Sequence, residues 1–219
     1  MNTRLFSALV ALAAGAALAS CARAGDKLVS QAMKAYSMKD YDKALVLFEE
    51  ALKSDSRYSE ELLYTFISNV YSKQEEWDSS AAYLEKALSM RADYRGYITL
   101  GMVRREAGQD DKAEAAFRAA LALDESKVDA YAHLGALYTD AGNAAAAVPL
   151  LETATALAPK EGFVYATLAV AYAARGDAEK SHAALATAAA LGYNSDKERG
   201  RAAALLESAE NAANAKAAH

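Results

Sequence analysis

The residues that could take part in catalysis or metal binding are few and lie far apart. One cysteine and three histidines occur among 219 residues, too few and too scattered for the usual zinc or iron–sulfur ligand sets. His133 and His182 are accompanied by no glycine-rich nucleophile turn and no phosphate loop. Adjacent acids such as Glu49 and Glu50 point in different directions on a helix and indicate a solvated face. The sequence therefore predicts a protein without enzymatic activity, without catalytic or metal-binding residues and without a cofactor.

The single cysteine, Cys21, follows a segment typical of a secretory signal. Arg4 precedes an apolar and small-residue run of 16 residues, 5–20, which is shorter than the roughly 20 residues that span a bilayer as a helix. A basic start, a short apolar core and small residues at the end are the layout of a signal peptide. A single cysteine also excludes an intramolecular disulfide.

Three residues stand immediately before the cysteine: Leu18, Ala19 and Ser20. This run resembles the bacterial lipobox, in which an aliphatic residue and two small residues precede a cysteine that is lipidated and becomes the new N-terminus. The resemblance implies a lipoprotein signal peptide at 1–20, a lipid anchor such as palmitate on Cys21, and a short tether at 21–24. A lone cysteine can also be a small buried hydrophobe, but its place at the foot of a signal-like segment favours the lipobox.

Composition favours an all-helical protein. Apolar residues make up 53% and charged residues 24% of the chain, which is enough apolar surface for a folded core. Alanine, the strongest helix former, is very abundant, and only two prolines occur. The net charge of −5 and the isoelectric point near 5.3 argue against a nucleic-acid binder.

From residue 25 onward, small and aromatic residues recur with a period of about 34 residues. The small residue of the second half of each unit recurs at spacings of 36, 33, 34 and 34: Ala44, Ser80, Ala113, Ala147 and Ser181. The first halves repeat as well, since Leu134-Gly135 matches Leu168-Ala169. Three glycines fall at the expected turns, where a helix end favours the left-handed region: Gly108, Gly142 and Gly176.

The pattern resembles the tetratricopeptide repeat in five copies. The resemblance implies an all-α fold, a right-handed superhelix of helix-turn-helix repeats. The predicted repeats cover residues 25–195, at about 25–60, 61–93, 94–127, 128–161 and 162–195. Residues 196–219 are predicted to form a C-terminal capping helix and a frayed tail, because Ser195 and Glu198 resemble a capping box and solenoids need a terminal cap.

In proteins with this repeat, peptide ligands lie along the concave surface that the first helices line. Carried over position by position, the resemblance gives these partner-binding candidates: Met33, Tyr36, Asn69, Lys73, Arg95, Met102, Arg105 and Thr139. Small apolar positions continue the line: Ala136, Val170 and Ala173. A groove that is cationic at one end and apolar at the other suits an extended acidic and apolar peptide. A generically solvated helix face is the alternative.

These features predict a membrane-anchored scaffold or assembly factor in the bacterial cell envelope that holds a protein or extended peptide in the periplasm. The alternative is a ligand-binding accessory component of an envelope transporter. Residue 22 is alanine, not aspartate, and in enterobacterial lipoproteins this resemblance implies the outer membrane more than the inner one.

Overall fold

The structure, a computed structural model, describes residues 23–217. The predicted signal peptide at 1–20 and the predicted lipidation site Cys21 lie outside the described residues. All regular elements between residues 23 and 217 are α-helices, which confirms the predicted all-α fold of helix-turn-helix repeats. The described residues divide into two units, 23–90 and 91–217.

The first unit consists of two helical hairpins. Its helices are α1 (Ala24–Ser37), α2 (Tyr41–Leu52), α3 (Glu60–Lys73) and α4 (Trp77–Met90). Helix α1 pairs with α2, α3 pairs with α4, and α2 packs against α3. One hydrophobic core joins the two hairpins, and Phe48, Leu63 and Ile67 are almost completely buried in it. The apolar residues recur at helical spacing, so each helix buries one face.

The second unit continues with three hairpins and a final helix. Its helices are α5 (Tyr94–Glu106), α6 (Asp110–Leu123), α7 (Val128–Asp140), α8 (Ala144–Leu157), α9 (Gly162–Ala174), α10 (Ala178–Ala190) and α11 (Asp196–Ala217). Successive hairpins contact each other, whereas α11 packs mainly against α9. At the start of α11 the Glu198 backbone N–H donates to the Ser195 hydroxyl at 3.5 Å, as the capping box predicts, and the Ser195 hydroxyl donates to the Glu198 carboxylate. No helix in the described range is both long and apolar enough to cross a membrane.

The two helices of each hairpin approach each other at a pair of small residues. The Ser68 and Ser80 hydroxyls lie 2.9 Å apart between α3 and α4. The corresponding pair of positions is buried and small in all five described hairpins: Ala32 and Ala44, Ser68 and Ser80, Gly101 and Ala113, Gly135 and Ala147, and Ala169 and Ser181. A Cβ atom at Gly135 would lie within 3.0 Å of three side-chain carbons of Leu151. Larger side chains therefore do not fit at this approach.

Each hairpin turn is three residues long, and the backbone of its last residue forms hydrogen bonds with both helices. Between α7 and α8, Gly142 has a φ of +74°. The Asn143 backbone N–H then donates to the Tyr138 carbonyl at 2.8 Å, which closes α7. The Asn143 side chain accepts from the Ala146 N–H at 3.2 Å, which caps α8. The left-handed conformation predicted for the turn glycines is confirmed at all three: Gly108, Gly142 and Gly176.

The first unit makes the same turn without glycine. Lys39 and Glu75 occupy the left-handed position with φ angles of +62° and +61°. The hydrogen bonds are those of the glycine turns, because the Asp40 N–H donates to the Ala35 carbonyl at 2.9 Å. A residue with a Cβ atom is disfavoured by about 1–2 kcal/mol in this conformation. These two turns are therefore the strained ones among the described hairpins.

Replacing Lys39 or Glu75 with glycine is expected to stabilise the first unit. Each substitution removes the Cβ strain, and the greater chain entropy of the unfolded state offsets part of that gain. The free energy of unfolding therefore rises by about 0.5–1 kcal/mol. Urea denaturation followed by circular dichroism measures the change. Lys53→Gly is the control, because Lys53 follows α2 with a φ of −93° and gains nothing from glycine. An equal gain at Lys53 would show that the turn conformation is not the cause.

Candidate partner-binding surfaces

The first unit has a groove between α1 and α3, the first helices of its two hairpins. Its volume is about 360 Å³, and it is lined by Met33, Tyr36, Ser37, Phe48, Phe66 and Asn69. We call it the unit 1 groove. Three of the four candidates predicted in this unit line it: Met33, Tyr36 and Asn69. The fourth, Lys73, is exposed on α3 and is not among the lining residues.

Aromatic rings form the floor of the unit 1 groove. Phe48 is 2% exposed, and its ring centroid lies 5.4 Å from that of Phe66. Met33 and Tyr36 are one turn apart on α1, so both side chains reach the same edge of the groove. The Tyr36 ring packs against the Tyr41 ring at 5.8 Å between centroids, which fixes its position. Met33 is 49% exposed and is therefore accessible to a partner.

The chemistry of the unit 1 groove suits an extended chain that carries an apolar side chain. The flexible Met33 thioether and the aromatic floor offer adaptable apolar contact. Asn69 is exposed, and its amide has both donors and an acceptor for a peptide backbone. The Ser37 hydroxyl already donates to the Lys34 carbonyl at 2.7 Å, so it is engaged within α1.

The second unit has a groove of about 230 Å³ that is lined by residues of α5, α7, α9, the segment before α11, and α11. We call it the unit 2 groove. The predicted residues Arg105 and Thr139 line it together with Ala136 and Val170. Thr139 is 5% exposed, and its hydroxyl donates to the Gly135 carbonyl at 2.7 Å within α7. Two other predicted residues are exposed on α5 and are not among the lining residues: Arg95 and Met102.

His133 also lines the unit 2 groove, although the sequence indicated only a packing or surface residue. Its ring stacks on Phe117 with 5.1 Å between centroids and 8° between planes. Burial lowers the pKa of His133 below its ordinary value, and the charge of Arg105 lowers it further. No group of three or more His, Cys, Asp or Glu side chains within residues 23–217 could hold a metal ion.

Residues near the C-terminus complete the unit 2 groove, and the repeat pattern did not identify them. Tyr193, Lys197 and Glu198 line it with Arg201. The Arg201 guanidinium is 2.5 Å from an Asp140 carboxylate oxygen at the end of α7. The tail does not follow the 34-residue pattern, so the alignment that located the other candidates assigns no place to these side chains.

Helix α11 covers two positions that the sequence assigned to the open concave face. Val170 and Ala173 on α9 are 2% and 0% exposed. They form one buried cluster with Ala202 and Leu206 of α11. The apolar stripe of α11 needs a surface to bury against, and the small residues of α9 leave room for it.

Repeated hairpins whose first helices line grooves define an α-solenoid of helix-turn-helix repeats. Models of the tetratricopeptide repeat match residues 63–93, 94–127 and 128–161. Residues 63–161 therefore contain tetratricopeptide repeats, at three of the five copies that the sequence pattern predicted.

Solved structures share this fold. A MamA protein is 20% identical, covers 76% of this chain and 91% of its own, and superposes with a TM-score of 0.67. YrrB, described as a TPR protein with an unusual peptide-binding site, is 23% identical, covers 75% of this chain and 84% of its own, with a TM-score of 0.60. A tetratricopeptide repeat protein from Parabacteroides merdae is 16% identical, covers 88% of this chain and 76% of its own, and has a TM-score of 0.75. No curated protein matches the chain significantly in sequence.

Replacing Arg105 with glutamine is expected to raise the pKa of His133 toward its usual value. The substitution removes a nearby positive charge that disfavours the imidazolium, while burial continues to lower the pKa. An NMR titration of the imidazole Hε1 resonance measures the change. Arg95→Gln is the control, because Arg95 is exposed on the same helix and is not among the groove residues. A His133 pKa that responds equally to both substitutions would contradict the proximity of Arg105.

Proposed function

We propose that the protein is a lipid-anchored scaffold or assembly factor of the bacterial cell envelope. In this role it holds a protein or extended peptide partner on the periplasmic side of the membrane. The unit 1 groove carries the proposal, because it combines an exposed Met33, an aromatic floor and an exposed amide at one place. A groove of this composition offers apolar contact for affinity and a hydrogen-bonding group for orientation.

The type of partner follows from the shape of the unit 1 groove. Two first helices form its sides, so a bound segment lies across α1 and α3 and contacts both hairpins. An apolar side chain fits over Phe48 and Phe66, and Asn69 bonds the peptide backbone. YrrB, which has this fold, is described as having a peptide-binding site, and this supports a peptide as the ligand.

Membrane attachment is proposed from the N-terminal sequence. The lipobox-like residues before Cys21 favour processing and lipidation, and multiple acylation anchors firmly because each buried CH₂ contributes about 0.8 kcal/mol. Helix α1 begins only three residues after the cysteine, at Ala24. Its first turn is fixed to the loop before α3, because Asp26 accepts from the backbone N–H and the Nε of Arg57 at 2.9 and 3.0 Å. The unit 1 groove would therefore lie near the membrane surface.

Photo-crosslinking in living cells tests the scaffold function. With p-benzoylphenylalanine in place of Met33, we expect one defined partner protein of the envelope to be captured and identified by mass spectrometry. An added Asn69→Ala substitution removes one hydrogen-bonding group and is expected to lower the yield about threefold to tenfold.

The matched control carries the crosslinker in place of Val46. Val46 is 55% exposed, close to the 49% of Met33, but it lies on α2 and is not among the groove residues. Equal capture at Val46 and Met33, or capture of cytoplasmic proteins alone, would contradict the proposed function.

Replacing Cys21 with serine tests the anchor. We expect the protein to leave the membrane fraction or to keep residues 1–20, because serine provides no thiol for lipid attachment. Membrane fractionation and intact mass measure both outcomes. Ala22→Ser is the control, since it makes a similar change beside a retained cysteine. Membrane attachment that is unchanged by Cys21→Ser in a protein that has lost residues 1–20 would refute the lipid anchor.

A further inference from the structure

Helix α11 lies across the first helices of two neighbouring repeats. Ala202 and Leu206 are buried against Val170 and Ala173 of α9. One residue before Ala202, Arg201 pairs with Asp140 at the C-terminal end of α7. A final helix that only capped the last hairpin would pack on both α9 and α10, yet α11 packs mainly on α9. It therefore occupies the face that the first helices present.

Helix α11 buries few side chains in the contact that holds it. Of its described side chains, two are buried, Ala202 and Leu206, and two are partly buried, Glu198 and Leu205. The Arg201 and Asp140 side chains are 41% and 39% exposed, so water screens their ion pair. Gly200 lies inside the helix next to this contact, and a Cβ atom there would meet no atom within 4 Å. The glycine weakens the helix without any steric need for it.

We propose that the unit 2 groove is a docking surface for an amphipathic helix of a partner protein, and that α11 is a displaceable occupant of it. This inference rests on the proposed scaffold function and identifies the class of partner for the second unit. The partner helix presents an alanine and a leucine at positions i and i+4, for the Val170 and Ala173 surface. It also carries a basic residue directly before the alanine.

The charges around the docking surface further define the residue pattern of the partner helix. Without α11, the Asp140 carboxylate stands at the end of α7, where the helix dipole also favours a cation. Arg105 faces the same groove, and α11 places Glu198 among the lining residues three positions before Arg201. The Glu198 carboxylate is bound by the Ser195 hydroxyl at the start of α11, so the pattern required of the partner helix is Arg-Ala-x-x-x-Leu, the order of Arg201, Ala202 and Leu206. Helices that dock into grooves are recognised through such spaced contacts.

Displacement follows from competition. The apparent affinity for the partner helix equals its intrinsic affinity multiplied by the fraction of molecules in which α11 is undocked. A substitution that undocks α11 therefore tightens binding, and one that strengthens α11 weakens it.

Fluorescence anisotropy with the full chain and a labelled synthetic peptide of residues 194–217 tests the proposal. Leu206→Glu in the protein removes a buried leucine from its own α11, and we expect the peptide to bind about tenfold tighter than to the unaltered protein. Gly200→Ala in the protein is expected to weaken binding about fourfold to fivefold, because alanine stabilises α11. Ala203→Glu adds the same charge at an exposed position and is expected to have no effect.

A charge exchange tests the register of the docked helix. Arg201→Glu in the peptide is expected to lower its affinity for the Leu206→Glu protein about fivefold. Asp140→Arg in the same protein should restore binding of the altered peptide and weaken binding of the original one. We expect the repeats to remain folded in each variant, because all changes lie at the surface or in α11. Circular dichroism verifies this.

Three results would overturn the proposal. The first is a Leu206→Glu protein that binds the peptide no tighter than the unaltered chain. The second is a peptide affinity that neither Arg201→Glu in the peptide nor Asp140→Arg in the protein changes. The third is dimerisation of the unaltered chain that Leu206→Glu abolishes, because the occupant would then be α11 of a second copy. The proposed scaffold function is tested separately, by crosslinking at Met33 in the first unit. Failure of the scaffold function can therefore be distinguished from failure of the docking proposal.

Discussion

The close approach of two helices within each hairpin is the constraint on which the other packing depends. At this approach Gly101 lies under the Phe117 ring and Gly135 lies against Leu151. The large side chains fold over the small residues and fill the space at native density. Serine is also accommodated there, because the Ser181 hydroxyl donates to a backbone carbonyl of the facing helix at 2.9 Å. The hairpin core thus lies on one side of each first helix, and the opposite side is available for other contacts.

The two units use that available side differently. In the first unit it is an open groove in which Met33 is accessible above an aromatic floor. In the second unit the corresponding surface on α9 is alanine and valine, and the chain's own α11 lies on it. Small residues permit a helix to approach closely, whereas the larger residues of the first unit leave a cleft between them. The side chains on the first helices therefore decide whether the surface stays open or takes a helix.

Periodic features were predictable from the sequence, and features outside the period were not. The 34-residue pattern predicted the hairpins, the turn glycines and the grouping of Met33 with Asn69, because these residues occupy equivalent places in successive repeats. It did not lead to a prediction of the left-handed conformation of Lys39, since lysine does not mark that conformation in a sequence as glycine does. The pattern also assigned Val170 to an open face, whereas α11 covers it. The position of α11 depends on the tertiary packing of a tail that does not follow the repeat. Cys21 lies outside the described residues, so its assignment is still a prediction from the sequence.

The three-residue turns limit how a chain of this kind can change in length during evolution. In each hairpin the paired small positions are twelve positions apart in sequence, whereas the sequence spacing from one hairpin to the next varies from 33 to 36 residues. The longest spacing contains the seven-residue connection 53–59, which lies between two hairpins. One residue inserted inside a hairpin would rotate the following helix by about 100° and turn its buried face toward water. Single insertions are therefore confined to the connections between hairpins, and larger changes of length require the gain or loss of a whole repeat.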